Sequence, residues 1–450
     1  MHSFEHEATF QHAGTTVERY RLKNGLTLLF LPEPRAPVFS YQTWFRVGAS
    51  DEQRGKGGLA HLFEHLMFKG TETTPEGEYD RRIESLGGRS NAATWLDWTF
   101  YHADLPAGHL EAIVALEADR LAGLAVTPAA FESEHKVVMN ERRETVEDEP
   151  ASIMSEVLWA MAFPTHPYGR PTIGFMADIE GLTLEDAARF RQRWYAPDNA
   201  VVVAAGDLSR EALLETVARH YGALLPGQAE RAHPAAEEPR KFPEFKELRL
   251  ALAHERLAVG WPSPAVTDPD HAVLEVLNEV LFEGDSARLQ RALVTEGELA
   301  SGHASFVSGF RHPGLYEVSV ELRPGRTAAE AEAVVLEEFA RVALEGISEA
   351  ELEKAKNRLE TSFWRGQQTV QQRAWSLGHW EVTAGDFRHA FEVADRFAAV
   401  TREDVLRVAQ ARLRPELRVV VYGLPNGEVD EDEEGDEEEE GEEGEEGEEA

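Results

Sequence analysis

Residues 17–30 (VERYRLKNGLTLLF) alternate between apolar and polar positions, the period of a half-buried strand. A helix-rich stretch follows. The first half closes on the apolar run 199–208 (NAVVVAAGDL), a buried strand entering a turn, and then on a helix from Arg210 to about Tyr221. The second half repeats this order more weakly: residues 246–261 open it and residues 417–424 (LRVVVYGL) close it. Between the halves, residues 227–244 (GQAERAHPAAEEPRKFPE) are polar and contain prolines, the composition of a linker. The pattern predicts an α+β chain of two homologous domains, each a mainly antiparallel sheet packed with helices. The expected boundaries are 1–228 for the first domain, 229–244 for the linker, 245–426 for the second domain and 427–450 for a tail.

Composition refines this picture at both ends. A chain of 450 residues with 42% hydrophobic content is long enough to bury two sizeable cores. Of the net charge of −37, the segment 428–450 contributes 17 acidic residues and no basic one, leaving about −20 for the rest. That glutamate- and glycine-dominated tail has too little apolar surface to fold, so disorder is expected, serving solubility or, alternatively, docking. An acidic balance speaks against nucleic-acid binding, which uses basic surfaces to displace phosphate counterions. With no cysteine, disulfide and thiolate chemistry are excluded. The opening MHSFEHEATFQHAG lacks the pattern of a secretory or transit leader, and no apolar run approaches the roughly 18 residues of a membrane span. A cytoplasmic protein is the expectation.

The candidate chemistry lies in His61-Leu62-Phe63-Glu64-His65. On a helix His61 and His65 stand one turn apart with Glu64 beside both. Two neutral imidazoles are good zinc ligands, and a carboxylate next to them can take a proton from an activated water and return it to a leaving amine. The order His-x-x-Glu-His is that of the inverzincins. The alternative is an exposed or capping histidine pair. Against it, Leu59, Leu62, Phe63, Leu66, Met67 and Phe68 surround the polar triad with residues that seek burial.

A third ligand has to come from another element, and the helical run 128–148 (PAAFESEHKVVMNERRETVED) offers Glu134 and Glu141 two turns apart on one face, with Val137 and Val138 expected to pack between them. A solvated acidic face is the alternative for these residues. Residues 91–94 (Asn91, Ala92, Ala93 and Thr94) lead into Trp98, Phe100 and Tyr101 and read as a strand close to the site, which as an edge strand would bind an extended peptide through its main chain. An ordinary sheet strand is the alternative. The loop around His166-Pro167-Tyr168-Gly169, with Pro171 and Gly174, is turn-rich and reads as architectural.

Four blocks, GLAHLFEHLMFKGT (58–71), SNAATWLDWTFYHADLP (90–106), the acidic helix, and FPTHPYGRPTIG (163–174), together resemble the pitrilysin/insulinase group of inverzincin zinc metallopeptidases. Within that group the likeness is to the short-subunit branch that includes the mitochondrial processing peptidases, and it covers nearly everything before the tail. The resemblance implies that His61, His65 and Glu141 hold one Zn2+, that Glu64 is the general base, and that Glu134 orients a ligand from behind. It also implies that residues 91–94 pair with the substrate main chain, and that the activity is endopeptidase cleavage of small or unfolded peptides inside a dimer chamber. The second half departs from the metal pattern, since His254, His271, His303, His312, His379 and His389 are not spaced as a ligand pair and are expected at the surface or hydrogen-bonded. Arg288 and Leu289 match the family's Ser-Arg-Leu turn. Where the family carries a substrate-binding arginine and tyrosine, this chain has Tyr316 and Arg323 in reversed order, which leaves the pair unassigned. That reversal favours a heterodimer with a zinc-less paralogous subunit, a homodimer being the alternative. A non-catalytic core or assembly subunit of the same fold is the competing reading of the whole chain.

Overall fold

The computed structural model describes residues 4–227, 229–231 and 233–427, so the expected acidic tail lies, apart from Gly427, outside the described residues. The first half contains strands β1 (Glu5–His12), β2 (Thr15–Arg21), β3 (Thr27–Pro32), β4 (Val38–Phe45), β5 (Arg89–Thr94), β6 (Thr99–Pro106) and β7 (Ala200–Gly206). Its helices are α1 (Leu59–Leu66), α2 (Glu78–Ser85), α3 (Leu110–Gly123), α4 (Pro128–Arg142), α5 (Pro150–Ala162), α6 (Met176–Glu180), α7 (Leu184–Trp194) and α8 (Arg210–Tyr221). The second half contains β8 (Glu244–Leu250), β9 (Arg256–Ser263), β10 (Ala300–Val307), β11 (Gly314–Leu322) and β12 (Val419–Pro425). Its helices are α9 (Pro269–Leu281), α10 (Ala328–Glu345), α11 (Glu349–Arg365), α12 (Val370–Thr383), α13 (Val393–Ala399) and α14 (Arg402–Arg412).

The first sheet has the order β1-β2-β3-β7-β4-β6-β5 and the second β10-β11-β9-β12-β8. Read from opposite ends, β3-β7-β4-β6-β5 and β8-β12-β9-β11-β10 are the same arrangement, so the weak duplication of the sequence is a duplication of a five-stranded topology, to which the first half adds β1 and β2. Each sheet is mainly antiparallel with one parallel pair, β3 with β7 and β8 with β12, where the strand that closes each half returns beside an early one. Among the described residues, the linker region carries neither helix nor strand until β8 begins.

Each sheet is covered on both faces. Leu28, Phe30, Phe39, Tyr41, Val202 and Ala204 face the first half's own helices. The alternate residues Leu29, Leu31, Trp44, Val201 and Val203 face Ala374 and Leu377 of α12, a helix of the second half. The exchange is reciprocal, because Met154, Leu158 and Ala162 of α5 cover Ala258, Leu315, Val419 and Val421 of the second sheet. Burial on both faces is why β7 reads as an unbroken apolar run. At the α12 crossing Gly378 is indispensable to the close approach: a Cβ there would stand 2.2 Å from the Trp44 indole nitrogen. Buried Glu381 at the end of α12 accepts from Arg19 at 2.7 Å and Arg46 at 3.1 Å, fixing the helix to the first half.

Gly378→Ala is expected to force the indole or the helix aside and to lower unfolding stability by about 1–3 kcal/mol. Urea unfolding of the purified variant measures this, and an unchanged midpoint would mean that α12 shifts without cost.

Candidate metal centre

Helix α1 is only two turns long, and its surroundings set its start. Gly58, at φ 86°, precedes it, and a Cβ at Gly58 would lie 2.4 Å from the carbonyl oxygen of Ile173. Gly174, also at positive φ, abuts Gly57 and Gly58 equally tightly. The turn-rich loop is therefore architectural: it seats the first turn of α1, while His166 is buried and its Nδ1 accepts from the Tyr168 amide at 3.2 Å. No Ser, Thr or Asp caps α1. Buried Glu52 does so instead, accepting from the amides of Ala60 at 2.7 Å and Gly58 at 3.2 Å. Burial pushes the Glu52 carboxyl up to about 8, while these amides and the helix N-terminus favour its charged form.

Along α1 the residues separate cleanly by face. Leu59, Leu62, Phe63 and Leu66 are buried in the first core, and His61, Glu64 and His65 occupy the part-exposed face. Helix α4 lies alongside, with the Thr127 hydroxyl accepting from Ala130 at its N-cap and Pro128 in its first turn. It ends sooner than expected, at Arg142, and residues Arg143–Glu147 form a π turn. Val138 is buried but Val137 is exposed, so only one of the two valines packs between Glu134 and Glu141.

The two helices bring His61, His65 and Glu141 together, with their ligand atoms all within 4.8 Å of one another. His61 Nε2 stands 3.6 Å from Glu141 Oε1 and His65 Nε2 stands 3.5 Å from Glu141 Oε2. These contacts are too long for good hydrogen bonds. They match donors sharing one ion, since atoms about 2.1 Å from a tetrahedral zinc lie about 3.4 Å apart. Burial, and secondarily the neighbouring His65, depress His61 to about 4, so its ring is neutral, the form a metal needs. Glu134 Oε2 is 3.3 Å from His65 Nδ1, which leaves the proton on that nitrogen and the Nε2 lone pair toward Glu141. Lys69, one turn beyond His65, holds the other Glu134 oxygen at 3.0 Å and also pairs with Glu76.

Glu64 faces the same space. Burial raises its carboxyl above the ordinary carboxylate range, and the Thr94 hydroxyl donates to Glu64 Oε2 at 2.5 Å. Strand β5, carrying Asn91, Ala92, Ala93 and Thr94, is the outermost strand of its sheet and pairs only with β6. Beyond its end a cleft of about 480 Å³ separates the halves, lined by Trp95, Val146, Trp159, Phe306, Phe310 and Glu317 among others. Tyr316 and Arg323 lie elsewhere. Tyr316 is fully buried in the second core with its hydroxyl donating to Asn278 at 2.9 Å, and Arg323 donates to the carbonyl of Ala300. Arg288 forms a bidentate pair with Glu351, and Leu289 is buried.

Sequence reasoning missed Glu52, Lys69 and the side-chain role of Thr94. An uncapped helix start after Gly57-Gly58 is the signal that a carboxylate was needed nearby. The spacing of Lys69 from His65 was readable too, but Thr94 depends on the β5 to α1 contact, which has no local trace.

Comparison with known proteins accords with this arrangement. Residues 31–175 match the family described as insulinase (peptidase family M16), and residues 181–359 match the peptidase M16 inactive domain. The zinc protease PqqE of Helicobacter pylori is 28% identical over 91% of this chain and 93% of its own. A probable mitochondrial-processing peptidase subunit beta of Schizosaccharomyces pombe is 27% identical over 87% of this chain and 88% of its own. Among solved structures, that of a protease from Helicobacter pylori superposes with a TM-score of 0.87 at 27% identity, covering 91% of this chain and 99% of the other.

Glu134→Ala frees the His65 ring and is expected to weaken zinc binding about 10–100-fold, read by competition with a chromophoric chelator. Equal affinity in variant and parent would remove the orienting role from Glu134.

Proposed function

The chain belongs to the insulinase (M16) peptidase family, and on that premise we propose that it is a zinc-dependent endopeptidase acting on small or unfolded peptides. The observation that carries this reading is the approach of both His61 and His65 to Glu141 at 3.5–3.6 Å, with Glu64 on the same helical face as the histidines. Two imidazoles and one carboxylate are a donor set suited to a catalytic zinc with one position left for water or substrate. When bound there, zinc supplies a Lewis acid that polarises the scissile carbonyl and acidifies a water.

The remaining steps belong to the chain's own residues. Glu64 Oε2 is engaged by Thr94, so Oε1 takes the proton from the attacking water and passes it to the leaving amine nitrogen. The free edge of β5 pairs with an extended substrate backbone through residues 91–94, giving affinity with little sequence preference. Side chains of the bound peptide enter the cleft between Trp95 and Glu317. The burial of Tyr316 and the use of Arg323 on its own backbone support a working unit in which another subunit completes the substrate chamber. The name of the yeast relative, a subunit beta, supports the same reading. We favour a zinc-less paralogue over a second copy as that mate.

Glu64→Gln keeps the metal donors and removes the base. Its zinc content should equal that of the parent while turnover of a quenched peptide falls about 10²–10⁴-fold, assayed alone and with the paralogue. Peptide cleavage at the parental rate would reassign the base. Burial raises the Glu64 pKa, so the fraction able to accept a proton grows with pH through a midpoint above the ordinary carboxylate range. The acid limb of kcat/KM is expected there. A limb at the usual glutamate value would show that a different group controls it.

A further inference from the structure

The topological duplication pairs α1 with α9 and α4 with α11. His61 and His65 are the third and seventh residues of α1, and the third and seventh residues of α9 are His271 and Glu275. Glu141 is the fourteenth residue of α4, and the fourteenth residue of α11 is Ser362. Among the described residues these three positions of the second half do not form a three-donor metal cluster. They line a cavity of about 580 Å³ between α9, α11, α12 and α13, whose walls include Phe363, Trp375 and Phe397.

Glu275 is the only carboxylate lining this cavity, and among the described residues it accepts no hydrogen bond. Its closest charge-capable neighbour, His271 Nδ1, is 3.8 Å away. His271 Nε2 donates to the carbonyl of Ser308 at 3.2 Å, so in the neutral ring Nδ1 carries no proton to offer Glu275. From α12, His379 faces the cavity stacked on Trp375, with its Nδ1 buried and without a partner. Burial lowers it to about 4, so it brings no positive charge. From α13, Arg396 is already bound to Glu392 at 3.0 Å and His389 at 2.6 Å and lies over Trp380. Burial pushes the Glu275 carboxyl up against a partial offset from His271, while 32% of its side-chain surface stays open. The cavity thus joins the volume of a small-molecule site, aromatic walls and one carboxylate that accepts no hydrogen bond from the described residues.

We propose that this cavity binds a small organic cation, a primary amine on an aryl or alkyl chain, with its ammonium paired to Glu275 and its apolar part among Phe363, Trp375 and Phe397. A carboxylate beside aromatic faces favours an ammonium over the uncharged molecule of the same shape, and it rejects an anion. The site is separate from the metal centre and does not depend on peptidase activity.

The test is calorimetric titration of the purified full chain with phenethylamine, alongside phenylethanol as its uncharged counterpart and phenylacetate as its anionic one. Saturable binding of the amine is expected, at least tenfold tighter than the alcohol, with no binding of phenylacetate. Glu275→Gln should lose that tenfold preference while still binding one zinc and cleaving peptide as the parent does. Trp375→Phe, which keeps the carboxylate, should retain the preference for the amine. No saturation by phenethylamine up to roughly 10 mM, equal binding of amine and alcohol, or an undiminished preference in Glu275→Gln each overturns the proposal. So does a second zinc per chain that is lost in Glu275→Gln.

Discussion

The side-by-side packing of α1 and α4 is the constraint on which the site depends. An eight-residue helix has little stability of its own. Leu62, Phe63 and Leu66 are wholly buried, and at about 1.5–3 kcal/mol each their burial dominates the polar contacts on the other face. The apolar half of α1 therefore holds the imidazoles where Glu141 can meet them. Three features then fix the angle and axial position of the helix. Gly57 and Gly58 pack against Gly174, Glu52 takes the first amides, and the Lys69 to Glu134 pair ties the turn that follows α1 to α4. On the α4 side, His135 Nε2 donates to the carbonyl of Ile179 at 2.7 Å, anchoring the helix that carries both glutamates.

Elements whose pattern is local were legible in the sequence. Strand β7 and helix α8 fall within a residue of expectation because an apolar run and a serine-capped amphipathic helix declare themselves. The His61 to His65 spacing identified one face of α1 directly. What lay beyond reading was whatever required the tertiary fold. Tyr316 and Glu317 are neighbours in an alternating strand, and only the sheet's orientation decides that Tyr316 enters the core and Glu317 the cleft. Val137 and Val138 pose the same problem on a helix. The histidines of the second half were expected at the surface or hydrogen-bonded; His271, though buried, bonds the Ser308 carbonyl as that reading allows, whereas His379 of α12 keeps a buried Nδ1 without a partner.

The exchange of α5 and α12 explains why the halves form one body. Each sheet has a second apolar face that its own helices do not cover, and the covering helix comes from the other half. Neither half is expected to be stable alone, since separation would expose Trp44, Val201 and Val203 on one side and Leu315, Val419 and Val421 on the other. The same crossing places Asp97, in the turn after β5, against the second half. Its carboxylate accepts from the Tyr168 hydroxyl at 2.8 Å and the Arg311 amide at 2.9 Å. The end of β5 is thus held by both halves.

That shared anchoring bears on how a peptide would be read. Under the proposed function the backbone of the substrate extends β5, and main-chain pairing is blind to side chains. Discrimination then falls to the cleft at the strand's end, where Trp95 comes from the first half and Phe306 and Glu317 from the second. Glu317 accepts from the Trp159 indole at 2.7 Å, and burial raises its carboxyl, so the cleft has a polar floor beneath aromatic walls. The second half, without the metal donors, would act on specificity through this wall, and the first half on chemistry. Under that reading the duplicated fold would divide these roles, since among the described residues only the first of the two helix pairs brings three metal donors together.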